Sequence, residues 1–143
     1  MLGASERTLT PASLAVSGGT LRLCLLTSPP DLEGLRLGDG LGAYCRYRPG
    51  GTLAILRRVL AAPGGRVAAA LAGDTLVGHL ALFQPDPEER WGRRPQAGLL
   101  ELGTLEVDRA WRRRGVARTL LAALCTDPCL EAAILLAPQF AAD

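Results

Sequence analysis

Apolar residues recur along the chain with two spacings, and these predict alternating strands and helices. Short apolar runs bounded by Gly, Pro or Asp predict strands over residues 21–26, 66–72, 75–83, 99–107 and 132–136. Apolar residues at helical spacing predict helices over residues 53–61 and 116–125. Thr52 is expected to cap the first of these helices, and Asp31 to cap a further short helix over residues 32–35.

The connections between these elements are polar or glycine-rich. Residues 1–18 predict a loose tail or a short edge element, residues 38–42 a flexible loop, and residues 84–98 a charged loop. In the helix over residues 116–125, the predicted inward stripe consists of Ala117, Leu120, Leu121 and Leu124. The pattern contains no repeats and no linker, so one domain over residues 1–143 is expected.

Composition narrows the function classes. The apolar share of 48% is enough for a core, and a net charge of +2 gives no bulk argument for a nucleic-acid partner. All basic residues are arginine, and the absence of lysine excludes acetylation of the chain's own side-chain ammonium groups. An amino-terminal secretion signal and a long apolar run are both lacking, so we expect a cytoplasmic protein with no membrane partner.

The cysteines do not form a metal-binding pattern. Cys24 lies in an apolar strand and Cys125 on an apolar helix, where buried thiols are ordinary. The spacing from Cys125 to Cys129 is unusual for zinc, and the single histidine, His79, cannot complete a site. We therefore expect structural cysteines, no metal, and a packed or surface role for His79.

The most informative segment is a strand, a glycine turn and a helix over residues 99–125. Gly115 opens the helix, whose first N–H groups lack internal partners, and arginines surround the turn. A Walker-type loop needs a lysine, and a Rossmann fingerprint needs three glycines, so neither fits. What remains is the pattern Arg112-x-x-Gly115-x-Ala117, in which small residues let the main chain approach a pyrophosphate.

This pattern resembles the R/Q-x-x-G-x-G/A motif of the GNAT superfamily of N-acetyltransferases, which use acetyl-CoA. The resemblance implies the GNAT-type α/β (α+β) fold, a single mixed and mostly antiparallel sheet flanked by helices. It also implies that Leu105, Glu106 and Val107 pair with the pantetheine arm through their main chain. The residues expected to surround the phosphates are Arg112, Arg113, Arg114, Gly115, Val116, Ala117 and Arg118. Arg113, Arg114 and Arg118 are the alternative partners expected for the 3′-phosphate, and the sequence does not choose among them.

Glu101 is the candidate catalytic base. Acyl transfer to an amine needs the amine deprotonated, and a carboxylate can accept that proton directly or through water. Several members of the superfamily carry this carboxylate on the same strand, eleven positions before the motif, which is Glu101 here. Strict alternation places Glu101 with Gly103, Leu105 and Val107 on one face, and the alternative base, Glu106, on the other.

A further resemblance, to the acetoin-utilisation acetyltransferases of bacteria, rests on residues 85–91, 99–103, 47–49 and 75–79. It implies a protein-lysine acceptor, such as that of acetyl-CoA synthetase. Tyr47, Arg48 and Trp91 are the weaker acceptor-site candidates. The superfamily's final helix and hairpin are not found before Asp143. The alternative function is therefore a non-catalytic acyl-CoA-binding or regulatory module, and pairing at an unfinished sheet edge favours a homodimer.

Overall fold

The computed structural model describes residues 6–42, 51–88 and 98–137, which form a seven-stranded sheet with two α-helices. The strands are β1 (Arg7–Val16), β2 (Gly19–Leu26), β3 (Arg36–Leu37), β4 (Arg66–Ala72), β5 (Thr75–Phe83), β6 (Leu99–Val107) and β7 (Ile134–Leu136). The helices are α1 (Gly51–Ala61) and α2 (Val116–Cys125). Over these residues, no helix has the length and apolar character needed to cross a membrane.

The sheet is mixed and mostly antiparallel, as predicted. The strand order is β1-β2-β4-β5-β6-β7, and β3 pairs with the first residues of β5, beyond the point where β6 ends. Only the β3–β5 and β6–β7 pairs are parallel. Because β7 is reached from β6 through α2, this last pair is a crossover unit, and its helix covers one face of the sheet.

Each face of the sheet carries its own apolar layer. On one face, Val116, Leu120 and Leu124 of α2 pack against Leu80 and Leu82 of β5. On the other face, Leu56 and Leu60 of α1 pack against alternate residues of the same strands, including Cys24, Val67 and Ala81. Leu121 was predicted to face inward but is 38% exposed, because the buried stripe of α2 runs through Val116 and Ala123 instead.

The amino-terminal part of the chain is more ordered than a loose tail. Residues 7–16 form a ten-residue edge strand, β1, so the edge-element alternative holds. The predicted helix over residues 32–35 is wrong: a 3-10 helix spans Pro29–Leu32 instead. Two consecutive prolines favour a helical first turn there, and the Asp31 carboxylate accepts the N–H groups of Thr27 and Ser28 at its start.

Two further local predictions are wrong. Thr52 does not cap α1, because the helix begins at Gly51 and the buried Thr52 hydroxyl has no hydrogen-bond partner among the described residues. Residues 38–42, here called the glycine loop, are not a free connection. The Gly38 N–H donates to the Leu76 carbonyl, and the N–H groups of Gly40 and Gly42 donate to carboxylates of the segment 106–108.

A β-bulge at Gly103 changes which residues of β6 share a face. Thr104 pairs with Ala81, but the next pair is Leu102 with Leu82, so Gly103 is an extra residue on β6. A Cβ atom at position 103 would lie 1.9 Å from Cε1 of Phe83, so this position has room only for glycine. The Phe83 ring therefore lies directly against the main chain of the bulge.

Gly103→Ala is expected to destabilise the fold by about 1–3 kcal/mol, because the added methyl group forces the Phe83 ring or the bulge to move. The measurement is the free energy of unfolding in urea. Phe83→Leu removes the atoms that clash, so the double variant should lose less than the sum of the two single losses. Strictly additive losses would contradict the assigned contact.

Candidate functional site

The turn between β6 and α2 is shaped so that its main-chain N–H groups converge. Asp108 accepts the Ala110 N–H at 2.8 Å and so caps the 3-10 helix Arg109–Trp111. Beyond it, Arg113 and Gly115 have φ angles of 61° and 81°, and Gly115 is the N-cap of α2. Residues with positive φ between right-handed ones turn successive N–H groups toward one side, which makes a concave donor surface for anions.

The N–H groups of this turn are available to a ligand. Among the described residues, none accepts a hydrogen bond from the main-chain N–H groups of residues 113–118. The first paired donor of α2 is Thr119, whose N–H donates to the Gly115 carbonyl at 3.0 Å. The helix dipole adds partial positive charge at the same point. The turn can therefore hold a polyanion without breaking any protein hydrogen bond.

The arginines around the turn separate into two kinds. Arg112 donates from Nε to the Val107 carbonyl at 3.0 Å, and Arg114 donates to the Ser17 carbonyl at 2.6 Å while its guanidinium lies 5.3 Å from the centre of the Trp111 ring. Arg112 therefore links the turn to β6, and Arg114 links it to the β1–β2 hairpin. The side chains of Arg113 and Arg118 are exposed and make no such contacts with the described residues.

The edge of β6 that faces β7 is open over much of its length. The two strands pair only from Leu99 to Glu101 on β6, so the described part of β7 does not reach the rest of that strand. The Asp108 N–H donates to Val77 of β5, and the alternation of an antiparallel pair then turns the main chain of Leu105 and Val107 outward. The main chain of Glu106 faces β5 instead, so it is not available to pair with a pantetheine arm as the resemblance implied.

The bulge corrects the predicted position of Glu101. Glu101 pairs with Phe83, and Thr104 and Glu106 pair with Ala81 and His79. Because cross-strand partners share a face, Glu101, Thr104 and Glu106 all lie on the α1 side of the sheet. The predicted division, with Glu101 opposite Glu106, is wrong because it assumed unbroken alternation. Glu101 is half-buried and lies where β7 ceases to pair with β6.

His79 and Thr104 form a polar pair on the α1 face of the sheet. His79 is 1% exposed, and its Nδ1 lies 3.3 Å from the Thr104 hydroxyl, while its Nε2 has no partner within the part of the chain that the structure describes. Burial lowers the pKa of His79, and the Glu106 carboxylate acts in the opposite direction more weakly. His79 is therefore a neutral, packed histidine at neutral pH, in agreement with the sequence expectation.

The lowered pKa of His79 makes stability depend on pH. The unfolded chain binds a proton at His79 near pH 6.5, whereas the folded protein binds it only at lower pH. The contribution of neutral His79 to the free energy of unfolding is therefore complete above about pH 6.5, and it is lost as the pH falls below that value. We expect the free energy of unfolding to fall less steeply from pH 7 to pH 5 in His79→Gln than in the wild type. Equal slopes in urea titrations would contradict this.

Cys24 also agrees with its predicted structural role. Burial, followed by the nearby Glu6 carboxylate, raises the pKa of the Cys24 thiol to about 12. The thiolate is the reactive form, so this side chain is inert near neutral pH.

The acceptor-site candidates Tyr47, Arg48 and Trp91 lie outside the described residues, so they stay predictions. Sequence reasoning missed Asp108 and Thr104. A signal existed for Asp108, since an Asp just before a helical turn is a preferred capping residue. Thr104 gives no such signal, because its importance comes from a cross-strand neighbour.

Comparison with known proteins places the chain in a family. The family model described as the Acetyltransferase (GNAT) family matches residues 41–131. The acetoin utilization protein AcuA of Bacillus subtilis is 31% identical over 135 residues, which is 94% of this chain and 63% of the relative. AcuA of Bacillus licheniformis is 38% identical over 78 residues, 54% of this chain and 37% of the relative.

The fold agrees with the same group. The crystal structure of an acetoin utilization protein from Exiguobacterium sibiricum superposes with a TM-score of 0.80 at 26% identity, over 90% of this chain and 60% of that one. This chain therefore spans less than two thirds of the length of these relatives. The resemblance drawn from Arg112, Gly115 and Ala117 is confirmed: the chain belongs to the GNAT family of acetyltransferases.

Proposed function

We propose that this chain is an acetyl-CoA-dependent N-acetyltransferase that moves an acetyl group to a primary amine. The observation that carries the proposal is the joint presence of two main-chain surfaces. One is the turn whose N–H groups, from Arg113 to Arg118, have no acceptor among the described residues. The other is the open edge of β6 beside it. Together they suit a ligand with a pyrophosphate at one end and an amide-containing arm at the other.

The residues fit this co-substrate. The N–H groups at the start of α2 and the small side chain of Ala117 suit the pyrophosphate. The outward main chain of Leu105 and Val107 suits the amides of the pantetheine arm, as in the addition of a strand to a sheet. Because Arg112 and Arg114 are engaged within the protein, Arg113 and Arg118 are the proposed partners of the 3′-phosphate.

Acetyl-CoA supplies the activated acetyl thioester when it is bound. An outward main-chain N–H of β6 near Val107 donates to the thioester carbonyl, where negative charge develops as the amine attacks. Glu101 accepts the proton from the amine nitrogen, directly or through water. The new bond joins nitrogen to the acetyl carbon, and the carbon–sulfur bond breaks. The leaving group departs as a thiolate, which is tolerable because free thiols titrate near pH 8.5.

The residues of this chain identify the acceptor amine less closely than they identify the co-substrate. The resemblance to the acetoin-utilisation acetyltransferases implies a protein-lysine acceptor, so acetyl-CoA synthetase is the first substrate to assay. The homodimer expected from the edge strand also stays a prediction, to be checked by light scattering.

Calorimetric titration with CoA and with 3′-dephospho-CoA tests the binding half of the proposal. We expect saturable binding of CoA and weaker binding of the dephospho form, with Arg113→Gln and Arg118→Gln narrowing that difference. Release of free thiol in the presence of lysine peptides or acetyl-CoA synthetase tests the transfer half. Binding without transfer to any amine would instead support an acyl-CoA-binding module, and absence of CoA binding would refute both.

A further inference from the structure

Two carboxylates fasten the glycine loop to the end of β6. The Asp108 carboxylate is buried, and its Oδ2 accepts the Gly40 N–H at 3.2 Å. Its Oδ1 accepts the Ala110 N–H at 2.8 Å, in the turn between β6 and α2, here called the cofactor turn. Two residues earlier, the Glu106 carboxylate accepts the Gly42 N–H. The same end of β6 is thus tied both to the turn and to the loop.

The glycines of the loop are needed for this approach. A Cβ atom on Gly38 would lie 2.2 Å from Oδ2 of Asp108, and a Cβ atom on Gly40 would lie 2.3 Å from its Oδ1. Only residues without a side chain can bring their main chain this close to the carboxylate. The contact is therefore built into the sequence of the loop as well as into β6.

Glu106 lies at the boundary of the proposed reacting centre. It shares the α1 face with Glu101 and Thr104, and it lies between Leu105 and Val107, whose outward main chain is proposed to hold the pantetheine arm. Gly42, held by Glu106, lies beside the start of α1, since a Cβ atom on Gly42 would be 3.4 Å from the Thr52 hydroxyl. The contacts of Asp108 and Glu106, here called the latch, therefore hold the glycine loop beside the start of α1.

We propose that Glu106 is a positioning residue, whose carboxylate fixes the main chain at Gly42 for the acceptor, while Glu101 alone accepts the proton. The inference rests on the proposed function for the second half of this statement. The Gly42 N–H occupies one oxygen of Glu106 with a charge-assisted hydrogen bond. Proton transfer to Glu106 would weaken that bond at each turnover.

Glutamine separates the two roles at position 106. Its amide oxygen still accepts the Gly42 N–H, but the amide cannot take a proton from an amine. Alanine removes both capacities. If Glu106 is a positioning residue, Glu106→Gln should resemble the wild type in Gly42 exchange and in KM, and Glu106→Ala should not. If Glu106 is the base, both substitutions should lower turnover to a similar extent.

The experiment compares Glu106→Gln, Glu106→Ala and Glu101→Gln, with Asp39→Asn as a control that removes an exposed carboxylate from the glycine loop. Amide hydrogen exchange of Gly42, followed by NMR on nitrogen-15-labelled protein, should be about tenfold faster in Glu106→Ala and within about threefold of wild type in Glu106→Gln. With a lysine peptide as acceptor, KM should rise about tenfold in Glu106→Ala while kcat stays within about threefold. A second truncation, Glu106→Ser, is made if the alanine variant does not fold.

Two results would overturn the inference. Unchanged Gly42 exchange in Glu106→Ala would show that the latch does not hold the loop in solution. A loss of kcat in Glu106→Gln as large as that in Glu101→Gln would assign the proton to Glu106 instead. Failure of the wild type to bind CoA would refute the proposed function, and it would leave the Gly42 exchange result to decide the latch by itself.

Discussion

Glu101→Gln is expected to lower kcat by about 10²- to 10⁴-fold, the range typical for loss of a general base. The substitution keeps the size and hydrogen-bonding capacity of the side chain but removes its ability to take a proton from the attacking amine. Glu101 is half-buried at the point where β6 and β7 separate, between the open edge and the α1 face. It therefore lies where the carbonyl and the amine are proposed to meet.

The affinity for CoA decides how a loss of turnover in this variant is interpreted. CoA binding measured by calorimetry should stay within about threefold of wild type, because no proposed CoA contact involves the Glu101 side chain. Glu131→Gln, which changes an exposed carboxylate near β7, serves as the matched control and should retain full activity. A large loss of CoA affinity in Glu101→Gln, or full turnover, would contradict the assigned role.

Ala117→Glu is expected to weaken CoA binding by about 10²-fold or more without destabilising the protein. Ala117 lies in the first turn of α2, beside the N–H groups proposed to hold the pyrophosphate. At an effective dielectric constant of about 20, two like charges about 5 Å apart repel by roughly 3 kcal/mol, which corresponds to this loss of affinity. An acidic residue near a helix N-terminus instead favours the folded state by about 0.3–1 kcal/mol.

Ala117→Glu is expected to weaken CoA binding but to favour the folded state, and these opposite signs make the test specific. Ala117→Gln adds nearly the same volume without charge, so it should weaken CoA binding much less than Ala117→Glu. Calorimetry gives the affinity for CoA, and urea unfolding gives the stability of each variant. If both variants lost the same affinity, crowding rather than charge would be responsible. If Ala117→Glu bound CoA as the wild type does, the proposed phosphate site would be wrong.

Local features of the chain could be predicted because their causes are local. The bounds of β4, β5, β6 and α2 agree with the prediction, since apolar runs and helical spacing are set by neighbouring residues. The cofactor turn was recognised for the same reason, from Gly115 with Arg112 and Ala117. The short helix was misplaced because two prolines moved the helical turn forward to Pro29.

The sequence by itself determined the family, the strand–turn–helix unit and the candidate residue Glu101. Only the tertiary structure decided that Glu101 and Glu106 share a face, because the bulge at Gly103 interrupts the alternation of β6, at a point where the Phe83 ring occupies the space a side chain would need. It also decided which arginines are engaged, since Ser17 is far from Arg114 along the chain. Contacts between residues distant in sequence arise from packing, and no local pattern encodes them.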